Sequence, residues 1–126
     1  MPNELPPSGP WTGYYLYGHA APKHPMSLAL VFIPDGKIHG EGLDDIAPFA
    51  IHGIFDAVTS AANWTKAYVG LHTVEYSGIY SRRSICGDWS IGHVTGGFWI
   101  WPGALGQSDQ AETQVDQELP LAPELV

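Results

Sequence analysis

The sequence predicts an all-β protein, a seven- or eight-stranded antiparallel up-and-down β-barrel. Three observations predict it. First, a glycine stands two positions before an aromatic at Gly13/Tyr15, Gly53/Phe55, Gly78/Tyr80, Gly87/Trp89 and Gly97/Trp99. Residues i and i+2 share one face of a strand, so each glycine leaves a gap for its aromatic neighbour and lets the strand bend sharply. Second, strand-like runs follow one another across short turns, and such a meander closes most economically into a barrel. Third, the chain holds five Trp, six Tyr and four Phe against only 14% charged residues. Strands of that composition suit a sheet covered on both faces, one by the barrel interior and the other available as an oligomer interface.

The elements follow in order. Residues 1–10, with Pro2, Pro6, Pro7 and Pro10, read as a flexible leader before a barrel domain over residues 11–102. Trp11–Gly18 is a Tyr-rich first strand, and His19–Pro25 a loop punctuated by Pro22 and Pro25. Met26–Ile33 is apolar on both faces, as a buried strand is. Pro34-Asp35-Gly36 is a turn, followed by strands at Lys37–Gly42 and Pro48–Phe55. Asp56–Asn63 is poor in strand formers and reads as a loop or single helical turn, capped by Asp56. Trp64–Tyr80 alternates throughout, as one long strand bent at Gly70 or two strands hinged there. Ser81-Arg82-Arg83 turns the chain into the last strands, Ser84–Ile91 and Gly97–Trp101. Ile38–Phe55 and Tyr76–Gly92 share a hairpin layout, a weak internal repeat that similar packing needs produce on their own.

At 126 residues the chain makes one domain, large enough to bury roughly two-thirds of its unfolded surface. The net charge is −8, and residues 103–126 hold five acids and no base. That stretch reads as a mostly disordered acidic tail, with docking of Leu119–Val126 as the alternative. The acidic balance argues against nucleic acid and against an anionic membrane surface. The longest apolar run, Leu28–Ile33, is far shorter than a bilayer span. Cys86 is the single cysteine, so no internal disulfide forms, which fits a cytoplasmic location. The first ten residues have neither the basic nor the apolar region of a signal peptide.

The early Gly-Pro-Trp-Thr-Gly segment (Gly9–Gly13), the meander and the repeated Gly and aromatic positions resemble the calycin-like barrels, the lipocalin-like and avidin-like proteins. The resemblance spans roughly residues 11–102 and is architectural. The helix that packs beside a lipocalin barrel has no counterpart here. The resemblance implies small-molecule binding in the barrel mouth, by residues such as Trp, Tyr, Ser and Asn.

The residues themselves point to several constellations. Lys66, Tyr68, His72 and Tyr76 share one face by parity, and a barrel interior lined this way has aromatic walls with a few polar tips. A desolvated Lys66 would be a base or imine former, and His72 transfers protons near neutral pH. If instead that face turns outward, Lys66 meets solvent and the tyrosines pack on a neighbouring subunit. With Tyr15, Trp64 and Trp89, the set Tyr15, Trp64, Tyr68, His72, Tyr76 and Trp89 is the expected ligand-binding wall. Lys66, Tyr68 and His72 are the acid/base candidates.

His39 and His52 lie opposite each other if the turn at 43–48 is symmetric, with Glu41 on the face of His39. Their spacing matches no metal motif, and a cross-strand polar pair is the expectation, with no metal. Asp44-Asp45 reads as a turn pair, with Asp44 accepting from loop amides. If Trp89 fills the interior, Asp88 faces outward. Cys86 has no activating neighbour. No nucleophile elbow or phosphate loop occurs, and no cofactor is expected.

Three functions follow. The first is a barrel binding an apolar or aromatic small molecule, also prone to self-association as a homo-oligomer. The second is a small isomerase-, cyclase- or lyase-type enzyme using Lys66, Tyr68 or His72. The third is a structural oligomerisation module.

Overall fold

Residues 4–103 are described by a computed structural model. Its strands are β1 (Gly9–Tyr17), β2 (Ala20–Phe32), β3 (Lys37–Asp44), β4 (Pro48–Asp56), β5 (Ala61–Tyr68), β6 (Thr73–Ser81), β7 (Ser84–Ile91) and β8 (Val94–Pro102). Each pairs antiparallel with the next, and β8 returns to β1, closing an up-and-down barrel of eight strands. No helix occurs among the described residues. The predicted tail lies outside them beyond Gly103.

Alternation sets the two faces. Trp11 and Tyr15 of β1, Met26, Leu28, Leu30 and Phe32 of β2, and Phe49, Ile51 and Phe55 of β4 point inward and are buried. So do Trp64, Lys66 and Tyr68 of β5, Val74 and Tyr76 of β6, Trp89 of β7, and Phe98 and Ile100 of β8. Eight strands enclose an interior just wide enough for such side chains to fill. Inward glycines make the tight curl possible. A Cβ on Gly53 would lie 2.0 Å from the Asn63 carbonyl oxygen, and one on Gly87 the same distance from that of Ser77. No side chain fits where neighbouring backbones approach so closely.

Four of the five glycine–aromatic pairs face inward. Gly97/Trp99 faces out, because Phe98 and Ile100 fill the interior from β8. Met26–Ile33 is also not covered on both faces: Ala29 and Val31 are exposed on the outside. The predicted loop at His19–Pro25 is largely the start of β2. Ala20–Lys23 is exposed and runs beyond the rim, where Ala20 pairs with Tyr17 and His24 with Tyr15. The Trp64–Tyr80 stretch is two strands, joined by a turn in which Gly70 has φ +73°, and β8 starts at Val94, upstream of the predicted Gly97. At Asp56 the side chain accepts from the amides of Val58 (2.8 Å) and Thr59 (3.4 Å), which starts the tight turn into β5.

The two ends differ. At the lower end Leu5 packs on the core and Pro6 is buried. The Trp11 indole donates to the Pro7 carbonyl (2.9 Å), and the Phe32 amide donates to the Ser8 hydroxyl (2.9 Å). Residues 5–8 thereby strap that end, beside Phe32, Phe55 and Tyr80. The upper end carries the β1–β2, β3–β4, β5–β6 and β7–β8 turns.

Candidate functional site

Alternation along β5 carries Lys66 and Tyr68 inward beneath the upper rim, and β6 brings Tyr76 alongside. Lys66 is 1% exposed. Its ammonium forms an ion pair with Asp44, whose side chain has no exposed surface. It also donates to the Tyr76 hydroxyl (3.1 Å) and lies against the Met26 sulfur (3.7 Å). Four rings surround it, with centroids 5.0 Å (Tyr15), 4.5 Å (Phe49), 4.9 Å (Tyr68) and 5.2 Å (Tyr76) away. Ring faces attract a cation within about 6 Å, so the charge sits in an aromatic cage. Burial lowers the Lys66 pKa, and Asp44 offsets part of that effect.

Asp44 joins turn and interior. One carboxylate oxygen accepts from the amides of Ile46 (2.9 Å) and Ala47 (3.3 Å), the predicted Asx turn. The other accepts from Lys66 and from the Tyr68 hydroxyl (2.6 Å). Asp45 organises a second network. It accepts from the Tyr15 hydroxyl (2.5 Å) and bonds His24 Nδ1 (2.7 Å). The His24 ring stacks on Tyr15 at 4.8 Å. Burial raises the Asp45 pKa, but the Tyr15 and His24 hydrogen bonds outweigh it and the net shift is downward. Burial and the adjacent carboxylates push Tyr15 and Tyr68 far up; Tyr76 is also pushed up, chiefly by burial. All three remain neutral phenols at any physiological pH.

Above these networks lies a recess of about 100 Å³, bounded by Tyr15, Tyr17, Tyr68, His72, Tyr76 and Trp89, with Ile46, Val74 and Ile91 at its edges. Trp89 is fixed by its indole N–H, which donates to the Leu16 carbonyl (2.8 Å) at the irregularity in β1. His72 is an exposed turn residue whose ring lies 5.1 Å from that of Tyr68.

Of the ligand-wall residues expected from sequence, Tyr15, Tyr68, His72, Tyr76 and Trp89 line this recess. Trp64 does not; it stacks behind Tyr76 at 5.5 Å and meets Phe98 edge-on. Of the acid/base candidates, Tyr68 and His72 reach the recess, while Lys66 lies behind its wall. Sequence reasoning missed Asp44 as the counter-charge of Lys66, and it missed the Tyr15–Asp45–His24 network. The available signal was a buried lysine by parity, which requires a nearby carboxylate.

His39 and His52 are cross-strand partners, as a symmetric 43–48 turn predicts. Both are exposed on the outer face. Among the described residues no group of three or more His, Cys, Asp or Glu side chains is placed to hold a metal ion. Asp88 is exposed, with Trp89 inside.

Fold and site together define a closed eight-stranded antiparallel barrel with an aromatic recess above a buried ion pair, an architecture consistent with the calycins. No family model, curated protein or solved structure matches the chain.

Proposed function

We propose that this barrel binds a small apolar or aromatic molecule, held at its upper end. The recess walled by Tyr15, Tyr17, Tyr68, Tyr76 and Trp89 carries this reading. Pockets of this kind combine apolar walls with a few placed polar groups. Here the tyrosine hydroxyls are already committed to Asp44, Asp45 and Lys66, so the walls are held rigid before a ligand arrives. At about 100 Å³, below the roughly 150 Å³ of a dry cavity that encloses benzene, the recess favours a short apolar group or the edge of a single ring whose remainder extends past the rim. On this reading the protein works as lipocalin-like and avidin-like binders do, in the cytoplasm. Exposed Val31, Leu43, Ile54 and Val69 on its outside favour self-association.

A second reading is acid/base catalysis. It is favoured by one observation: Tyr68 lines the recess and donates to the carboxylate that also holds Lys66, a path for a proton between substrate and buried ammonium. Binding is preferred because every donor on that path already has an acceptor.

The test is ligand-observed NMR with benzene, phenol and indole on wild type and on Ile46→Trp. Ile46 is 42% exposed at the recess edge, so a larger side chain there blocks the recess without entering the core. The expected result is saturable binding lost in Ile46→Trp. Binding unaffected by the substitution, or no binding of any ring, would overturn the proposal.

A further inference from the structure

Two lysine–aspartate ion pairs of the barrel differ in kind. Lys37 and Asp35 meet at the surface, 62% and 55% exposed, where water stabilises both charges. Lys66 and Asp44 meet in the interior, 1% and 0% exposed, where burial opposes both charges. Passing one proton from the ammonium to the carboxylate turns this pair into a free amine beside a carboxylic acid. Burial favours that neutral form, and it already draws the Lys66 pKa down. A lysine is a nucleophile only when its amine is neutral. The rings of Tyr15, Phe49, Tyr68 and Tyr76, with centroids 4.5–5.2 Å from Nζ, confine the amine beside its partner.

The surroundings of the carboxyl group suit acyl transfer. Asp44 Oδ1 accepts from the backbone amides of Ile46 (2.9 Å) and Ala47 (3.3 Å). Amides aimed at one oxygen stabilise the charge that develops there when a nucleophile adds to the carboxyl carbon. Oδ2 is bonded by the Lys66 ammonium and by the Tyr68 hydroxyl (2.6 Å), so the oxygen free to depart is the one beside proton donors. The Tyr76 hydroxyl accepts from Nζ (3.1 Å) and fixes the nitrogen from its other side.

We propose that Lys66 and Asp44 condense to an isopeptide bond, which ties β5 to the end of β3 across β4. The Nζ lone pair adds to Asp44 Cγ, and the electrons of the C=Oδ1 bond move onto Oδ1 under the two amides. The C–Oδ2 bond then breaks as the carbonyl re-forms. Nζ begins with three protons. Two end on Oδ2, the second relayed by the Tyr68 hydroxyl, and Oδ2 departs as water; the third remains as the amide N–H. No oxidant or reductant is needed. In the product the carbonyl keeps the Ile46 and Ala47 amides, the N–H keeps the Tyr76 hydroxyl, and two buried charges are gone. Condensation of separate acids and amines in water is unfavourable, but oriented groups reach effective molarities of about 10⁵–10⁸ M. Chains that have not condensed keep the ion pair.

The test is the intact mass of the full chain, read in denaturant after increasing times of incubation in the folded state. A species lighter by one water is expected to accumulate in wild type and to be missing from Lys66→Met. Cleavage after Phe49, Phe55 and Trp64 separates Asp44 from Lys66 in the unreacted chain, whereas the condensed chain yields a branched fragment holding both. That fragment decides the matter from wild type alone should Lys66→Met fail to fold. Tyr68→Phe is expected to slow accumulation about tenfold or more, as loss of a proton-transfer group does; an unchanged rate would overturn the proton route. Asp35-Gly36 can also lose water, by closing the Asp35 side chain onto its own backbone. A lighter species that persists in Lys66→Met, or whose missing water maps to Asp35, would overturn the proposal. So would a wild-type chain that stays at full mass throughout.

Discussion

Removing the charge of Lys66 tests the account of the upper end. Lys66→Met leaves the Asp44 carboxylate buried without a counter-charge, though still holding the Tyr68 hydroxyl and two turn amides. Breaking a buried pair from one side costs about 3–5 kcal/mol. The three surviving donors place this case at the lower end, about 3 kcal/mol, or roughly a 10 °C drop in Tm for a domain of this size. Asp44→Asn removes the counter-charge instead, leaving the ammonium an amide oxygen, the Tyr76 hydroxyl, the Met26 sulfur and four ring faces, and a loss of about 3–4 kcal/mol is expected. The double variant removes both charges at nearly constant volume. Additivity would predict a loss of about 6–7 kcal/mol; about 1–2 kcal/mol is expected. Urea unfolding followed by Trp fluorescence, at one pH for all four proteins, measures the cycle. A Lys66→Met cost below about 0.5 kcal/mol, or an additive double variant, would refute the coupling of turn and core.

Further expectations concern pH and backbone. Tyr15, Tyr68 and Tyr76 have folded pKa values above 10.0. The folded state therefore holds more protons than the unfolded one above pH 10, and stability falls there by up to about 1.4 kcal/mol per pH unit for each tyrosine. Lys66 acts in the opposite sense, because its folded pKa is lowered; its contribution rises with pH until the unfolded value of 10.5 is passed. Tyrosinate absorbance at 295 nm should show Tyr15, Tyr68 and Tyr76 silent until the barrel unfolds, and all six tyrosines of the chain titrating freely near pH 10 would contradict the burial. In acid, the lowered Asp45 pKa adds stability that is present above pH 3.8 and lost as pH falls through the folded value, visible as a smaller acid loss in Asp45→Asn. Gly53→Ala would place a methyl 2.0 Å from the Asn63 oxygen and 2.5 Å from Trp64 Cα; a loss above about 3 kcal/mol by chemical unfolding is expected. Arg82 and Arg83 both have positive φ, 54° and 61°, in a two-residue hairpin turn that suits Asn-Gly. Replacing them by Asn-Gly should raise stability by about 1 kcal/mol or more, read as a higher Tm.

The barrel was legible because its repeating unit is local. Glycine and aromatic two residues apart, with short turns, specify curl and pleat without any long-range knowledge. Parity likewise brought Lys66, Tyr68 and Tyr76 to one face and set Asp88 against Trp89. Parity ends where strands end. Asp44 and Asp45 are at a strand terminus and turn, where side-chain direction depends on the torsions of that turn, so their partners thirty or so residues away in β1 and twenty-two or more away in β5 left no trace in spacing. Trp64 was placed inward correctly, but depth along the barrel axis depends on strand stagger, and it lies one layer below the recess. Gly97/Trp99 fits the local rule and still points outward, because Phe98 and Ile100 claim the interior.

Asp44 also distinguishes one turn from the others as a place where the chain tolerates change. The Ile46–Ala47 amides and the Lys66–Tyr68 interior share one carboxylate, so the β3–β4 turn cannot shift without uncovering a buried cation. An inserted peptide, a new terminus made by circular permutation, or a protease cut there would reach the interior at once. Among the described residues, the Pro34–Gly36 turn at the opposite end has no such tether to the ion pair; Asp35 bonds its own turn and the exposed Lys37. Loop grafts and new chain ends belong there, and length variation among any natural variants of this chain should gather at that end and spare the mouth.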